Sequence, residues 1–212
     1  MGEKINKFIK YIYRGILEII YPRNNKCIIC KENEAEGLCI KCKKTITFCE
    51  KDDLCIGYYK GALKELILRF KYHKDFEAGE ILIELIEPKL NNISREYYLT
   101  FIPIGSKSLE LRGYNQCEYL AKELGFRNGF KVIDTLEKSR ETQIQKTLHK
   151  SERLKNIKGA FKAKDSRLIK NKKFIIIDDV LTTGATLNEA YRVLKESGAK
   201  EIKMLTLSKS HI

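Results

Sequence analysis

Apolar and polar positions alternate with different periods along this chain, and the periods predict its elements. Ile5, Phe8, Ile9, Ile12, Ile16 and Ile19 or Ile20 recur near helical spacing. Lys4, Lys7, Lys10 and Arg14 form a basic face opposite them, which predicts an amphipathic helix over 1–21 that stops before Pro22. Leu63, Leu66, Ile67 and Phe70 predict a short helix, and Ile81, Leu82, Leu85 and Ile86 a second one over 76–90. Tyr97 to Ile104 reads as a first core strand, 113–124 as a helix, and Phe130–Leu136 as another strand. Residues 137–158 hold many cations, few apolar residues and no period, and so read as a loop. Phe174-Ile175-Ile176-Ile177 is a run of four apolar residues, three of them β-branched, as in a fully buried strand. Leu187 to Glu196 reads as a helix, stopped near Ser197-Gly198, and Ile202 to Leu207 as a last strand. Strands alternating with helices predict an α/β fold with a parallel sheet.

Composition narrows the class of protein. The 212 residues are 43% apolar, which is enough for one sizeable core. Forty-one Lys and Arg against 28 Asp and Glu leave a net charge of +13. That sign favours anionic partners, whether phosphates, nucleic acid or acidic lipid heads. The abundance of Lys, Ile and Asn also fits an AT-rich genome. No apolar run reaches the ~18–20 residues of a membrane span, and no secretory signal is visible. A cytoplasmic location is expected, with peripheral contact to an acidic membrane open to the N-terminal helix.

Six of the seven cysteines crowd into one short segment, which suits a metal in a reducing compartment better than disulfides. Cys27-Ile28-Ile29-Cys30 and Cys39-Ile40-Lys41-Cys42 are two Cys-x-x-Cys turns with eight residues between them. Each turn aims two thiolates at one point, and four thiolates make a closed tetrahedral zinc site of structural type. Cys49 and Cys55 fit a second, degenerate pair, substitute ligands or core thiols, with core roles favoured. The expected organisation is an amphipathic helix over 1–25, a zinc-binding module over 26–56 and an α/β domain over 57–212.

The chemistry centres on Ile175-Ile176-Ile177-Asp178-Asp179-Val180-Leu181-Thr182-Thr183-Gly184-Ala185-Thr186. A buried strand, a loop of small residues and a helix start make a phosphate-binding geometry. First-turn amides have no partner inside the helix, and the helix dipole favours an anion there. Gly184 lets the backbone approach a ligand closely, and Thr182, Thr183 and Thr186 add hydroxyls. An ordinary βα turn carries Asp and Thr as caps too. Adjacent carboxylates at the carboxyl end of a buried strand are different, because they repel and need cations, Mg²⁺ or hydroxyl donors to be tolerated. A phosphate cradle beside two acids suits a sugar phosphate.

This run resembles the phosphoribosyl-pyrophosphate (PRPP) signature of type I phosphoribosyltransferases. The order of two cysteine knuckles, a Pro-Ile-Gly strand end, Arg112-Gly113-Tyr114-Asn115-Gln116 and the Asp-Asp signature is similar to that of the ComF family of competence proteins. The resemblance covers nearly the whole chain. It implies a type I phosphoribosyltransferase-like sheet in which Thr182, Thr183, Gly184, Ala185 and Thr186 hold a 5′-phosphate. Asp178 and Asp179 would meet the ribose hydroxyls directly or through Mg²⁺. Lys107 and Arg112, in the loop expected after the first core strand, would hold the pyrophosphate together with the cations of a lid. The family pattern of that lid matches Arg140, Gln145, Arg153 and Asn156. Thr182 stands where purine-salvage members of the fold carry an acidic base-contacting residue, which argues against purine transfer. The family implies a part in the uptake of single-stranded DNA, for which Tyr97, Tyr98, Tyr114 and Phe161 are stacking candidates, with a core role favoured for each. Pentosyl transfer to an amine or base, or PRPP binding without turnover by an adaptor that docks a helicase-like partner, are the other functions it allows.

Overall fold

The computed structural model describes residues 25–32, 35–50, 54–140 and 157–210. The helix expected over 1–21, and Gln145, Arg153 and Asn156 of the expected lid, lie outside the described residues.

A five-stranded, all-parallel sheet organises the chain. Its strands are β1 (Cys55–Tyr58), β2 (Tyr97–Phe101), β3 (Lys131–Val132), β6 (Lys173–Leu181) and β7 (Glu201–Lys209), in the order β1-β7-β6-β2-β3. The central strand β6 registers Leu99 against Ile175 on one side and Leu205 against Ile177 on the other. Side chains alternate across it, as strand geometry requires. Ile175 and Ile177 join a core with helices α2 (Gly61–His73), α3 (Phe76–Ile86) and α5 (Gln116–Asn128). Phe174 and Ile176 join a second core with α6 (Ala185–Glu196). Helices therefore cover both faces, which accounts for the unbroken apolar run in β6. A separate antiparallel pair, β4 (Leu136–Lys138) with β5 (Phe161–Ala163), brackets the undescribed segment 141–156.

Local chemistry places the elements. On α2, Ala62, Leu63, Leu66, Ile67 and Phe70 are buried, and Lys74 in the left-handed region ends the helix. Asp75 then caps α3, its carboxylate accepting from Ala78 N–H at 3.2 Å. Asn115 caps α5 in the same way and also donates through Nδ2 to Ile102 O at 3.0 Å, which ties the start of α5 to the end of β2. A Cβ on Gly125 would stand 2.7 Å from Val132 Cγ2, so only glycine lets α5 lie this close to β3.

Three expectations are corrected. The stretch expected as a loop after the first core strand contains helix α4 (Ser106–Arg112). Neither face of α4 is buried, with Leu109 46% and Leu111 82% exposed, so it carries no apolar period. The strand expected over 130–136 is instead β3 and β4, which pair with different partners. The acids do not end β6: the strand runs on to Leu181, and Asp178 lies in register with Thr206. The helices expected over 63–70 and 76–90 form as α2 and α3, with residues 87–90 tightening into a 3₁₀ turn. Among the described residues no helix is long and apolar enough to cross a membrane.

Candidate functional site

Asp178 and Asp179 lie in the carboxyl-terminal half of β6, the latter two residues short of its end, and are 8% and 6% exposed. That end is where open α/β sheets place their ligands. The two carboxylates are held differently. Asp178 Oδ1 accepts from Asp179 N–H at 2.9 Å and faces the Cys117 thiol at 3.8 Å. Asp179 Oδ1 accepts from Val180 N–H at 2.9 Å, while its Oδ2 accepts from the Lys71 ammonium and from Gln116 Nε2 at 3.3 Å. Burial pushes the Asp178 carboxyl up, and the neighbouring Asp179 charge adds to the effect, raising it to about 7. Burial works on Asp179 in the same direction, but Lys71 outweighs it and keeps that carboxyl below its ordinary range. Lys71 is raised in turn: burial disfavours its charge, and Asp179 more than compensates. Burial likewise raises the Cys117 thiol well above its usual value.

Arg112 reaches this group through one intermediary. Its Nη1 donates to Gln116 Oε1 at 3.1 Å, which turns the amide nitrogen of Gln116 toward Asp179. The guanidinium also lies 5.3 Å from the centre of the Tyr72 ring. Tyr114 donates its hydroxyl to Phe70 O, and the Phe70 and Tyr114 rings lie 5.5 Å apart. The end of α2 and the Arg112–Gln116 turn are thus fastened together beside the acids. Lys107 is exposed on the first turn of α4.

Beyond β6, Thr182, Thr183 and Gly184 are half-buried and lead into α6. Gly184 has φ +76° and caps the helix, and an added Cβ would also meet Asn188 Nδ2 at 3.3 Å. Ala185 N–H is 3.4 Å from Thr183 Oγ1. Ala185 is buried against Ile157 and Ala160, and Thr186 remains half-buried. Glu189 on α6 accepts from Gly159 N–H at 2.8 Å, and Arg140 Nη2 donates to Lys158 O at 2.9 Å. The two stems of the undescribed segment are therefore tied to each other and to the helix that follows Gly184.

Of the residues nominated from sequence, the structure brings together Asp178, Asp179 and Arg112, with Thr182 to Thr186 directly downstream. Arg140 stands in the stem, and Arg153 lies outside the described residues. Lys71 and Gln116 are additions. Gln116 closes the Arg112–Gln116 run, and its contact with Asp179 is not visible in the sequence. Lys71 lies just past Phe70, the last apolar position of the predicted helix, and 108 residues from its partner. Tyr97 and Phe161, at 5% and 4% exposure, are closed to stacking; Tyr98 and Tyr114 are half-buried.

The ligand atoms of Cys27, Cys30, Cys39 and Cys42 all lie within 4.8 Å of one another, and the sulfurs of Cys30 and Cys39 are 3.5 Å apart. Zn–S bonds of about 2.3 Å in a tetrahedron separate sulfurs by about 3.8 Å, so the four thiols fit a metal. Cys27 N–H donates to Glu32 O, Lys31 N–H donates to Cys27 O, and Cys39 begins a short helix, α1 (Ile40–Lys44). Burial pushes the Cys27 thiol up, but the backbone N–H groups of Cys39, Cys30 and Ile29 together bring it down to about 6. Burial and the neighbouring thiols push Cys42 up to about 12. A cation among the four would stabilise the thiolate form of all of them. Cys49 and Cys55 are buried outside this cluster.

Residues 101–211 match the phosphoribosyl transferase domain family. Asp178, Asp179, Arg112, Gln116 and the 182–186 turn thus lie in a phosphoribosyl transferase domain, and Lys71 reaches them from the part of the chain ahead of it. Competence protein ComFC of Streptococcus pneumoniae (strain ATCC BAA-255 / R6) is 32% identical over 185 residues, 85% of this chain and 79% of that protein. Competence protein F of Haemophilus influenzae (strain ATCC 51907 / DSM 11121 / KW20 / Rd) is 27% identical over 224 residues, 88% of this chain and 98% of that protein. The chain belongs to the ComF family of phosphoribosyl transferase domain proteins. Among solved structures, the purine phosphoribosyltransferase from Pyrococcus horikoshii Ot3 is 22% identical with a TM-score of 0.38, over 62% of this chain and 73% of that one.

Proposed function

We propose that the chain binds PRPP or a related sugar phosphate between β6 and α6 and serves DNA uptake in natural competence. The carrying observation is the buried pair Asp178 and Asp179 immediately ahead of Gly184 and the α6 N-terminus. In this reading the 5′-phosphate sits on the backbone of 182–186 and the pentose hydroxyls meet the acids. Arg112 and Lys107, with Arg140 and Arg153 of the lid that the family resemblance implies, would supply the cations for the diphosphate. Asp178 and Asp179 are hard oxygen donors and would hold Mg²⁺, which supplies charge neutralisation at the diphosphate. If transfer occurs, it proceeds by placement and electrostatics around an oxocarbenium-like ribose, and the acceptor is an amine or base. Binding without turnover, by an adaptor for a helicase-like partner, is the alternative. The competence role rests on the similarity to the two competence proteins, and the +13 charge supports contact with single-stranded DNA. The metal of the four-thiol module is zinc in a structural role, because no ligand position is left open. The working location is cytoplasmic, and the domain division is 1–25, 26–56 and 57–212.

Calorimetry with PRPP, with and without Mg²⁺, tests this on wild type and on the Asp178→Asn, Asp179→Asn double variant. Wild type binds, and the variant loses binding or its metal dependence. Identical isotherms for the two proteins would reject the assignment of the acids.

A further inference from the structure

Both oxygens of Asp179 are already in use. Oδ1 takes Val180 N–H at 2.9 Å, and Oδ2 takes the Lys71 ammonium and Gln116 Nε2. Oδ2 already accepts two donors, so a pentose hydroxyl or a cation takes that oxygen only by displacing one of them. Val180 N–H is backbone in a paired strand and cannot leave. Gln116 is held by Arg112 at 3.1 Å. Lys71 is the mobile partner, on a four-carbon stem in the last turn of α2.

The Lys71 and Asp179 side chains are only 20% and 9% exposed. An ammonium released there without a new anion is strongly unfavourable. A diphosphate entering beside Arg112 supplies that anion, whereas a pentose hydroxyl alone does not. We propose that Lys71 is a ligand-contacting residue of this seat, neutralising Asp179 in the free protein and passing its charge to the diphosphate of an incoming PRPP-like ligand. The exchange makes the seat selective: ligands that bring an anion to the C1 side of the pentose compensate the broken pair, and those without one do not. This inference rests on the sugar-phosphate reading of the site.

The test compares PRPP with ribose 5-phosphate, which lacks the diphosphate, by calorimetry on wild type and Lys71→Gln. Glutamine keeps a hydrogen-bond donor for Asp179 and removes the charge. Wild type prefers PRPP by at least about tenfold. Lys71→Gln weakens PRPP by about tenfold and leaves ribose 5-phosphate unchanged or tighter, because no ion pair has to open. If Lys71 only holds Asp179 in place, both ligands weaken by the same factor and the inference is overturned. Thermal melting reports whether the variant folds. If it does not, Lys71→Arg carries the test: retained preference for PRPP is expected, and equal loss of both ligands overturns the exchange. Wild type that binds neither ligand rejects the sugar-phosphate seat itself.

Discussion

The same chemical change at two adjacent residues should move stability in opposite directions. Asp178 is buried and its carboxyl is raised from an ordinary 3.8 to about 7, first by burial and then by the charge of Asp179. Its folded pKa lies above its unfolded one. The native state therefore binds the proton more tightly, and the stability this confers is complete below about pH 4 and lost as pH rises toward 7. A shift of about three units, at about 1.4 kcal/mol each, makes ionised Asp178 cost the fold roughly 4 kcal/mol at pH 8. At pH 5.5 the cost is about half of that, because only the unfolded chain has yet lost its proton. Asp178→Asn removes the cost while Asn Oδ1 keeps the Asp179 N–H bond. It should stabilise the protein by a few kcal/mol at pH 8, or about 10 °C in Tm for a chain of this size, with about half that gain at pH 5.5. Asp179→Asn does the reverse: it strands the Lys71 ammonium in a desolvated pocket, at about 3–5 kcal/mol. Thermal melts followed by circular dichroism, on protein as purified and with no magnesium added, measure both. A loss of stability in Asp178→Asn at pH 8, or a gain independent of pH, would refute the reasoning. A residue that lowers the stability of the free fold at neutral pH fits a role in binding better than one in folding.

Two further outcomes follow from the geometry. Elemental analysis should find about one zinc per chain, falling on Cys27→Ser, since removing one of four thiols opens the tetrahedron; a fully folded, metal-free preparation contradicts the module. Gly184→Ala forces an alanine to φ +76°, a cost of about 1–2 kcal/mol, and brings its Cβ to 3.3 Å from Asn188 Nδ2; a lower Tm and weaker PRPP binding are expected, and unchanged values of both count against the turn as the phosphate seat.

What could be read from the sequence was what local pattern encodes. The run from Phe174 to Ile177 reads as a buried strand and is covered on both faces, and the two Cys-x-x-Cys turns read as one cluster and bring four sulfurs together. Helix α4 left no trace because neither of its faces is buried. Lys71 left none because its meaning depends on a partner 108 residues away. The acids were visible as a pair, but their inequality was not. That inequality arises because α2 and α5 approach one carboxylate and a thiol approaches the other.

The same long-range logic joins the thiol module to the acids. Helix α1 starts at the metal-type cluster and ends at Thr45, whose Oγ1 accepts from Ala62 N–H at 2.9 Å in the first turn of α2. Gly61 permits this approach, since a Cβ there would lie 2.4 Å from Thr45 O. Ile28 and Ile46 of the module pack in one core with Leu63 and Leu66 of α2. Eleven residues of helix, about 16 Å at 1.5 Å per residue, then carry the chain to Lys71 and its ion pair with Asp179. The four-thiol cluster thus anchors the first turn of the helix whose last turn neutralises one acid. Loosening the clip frees the start of that helix, so its effect should reach the acids through the position of Lys71 and not through any contact of the metal with the ligand.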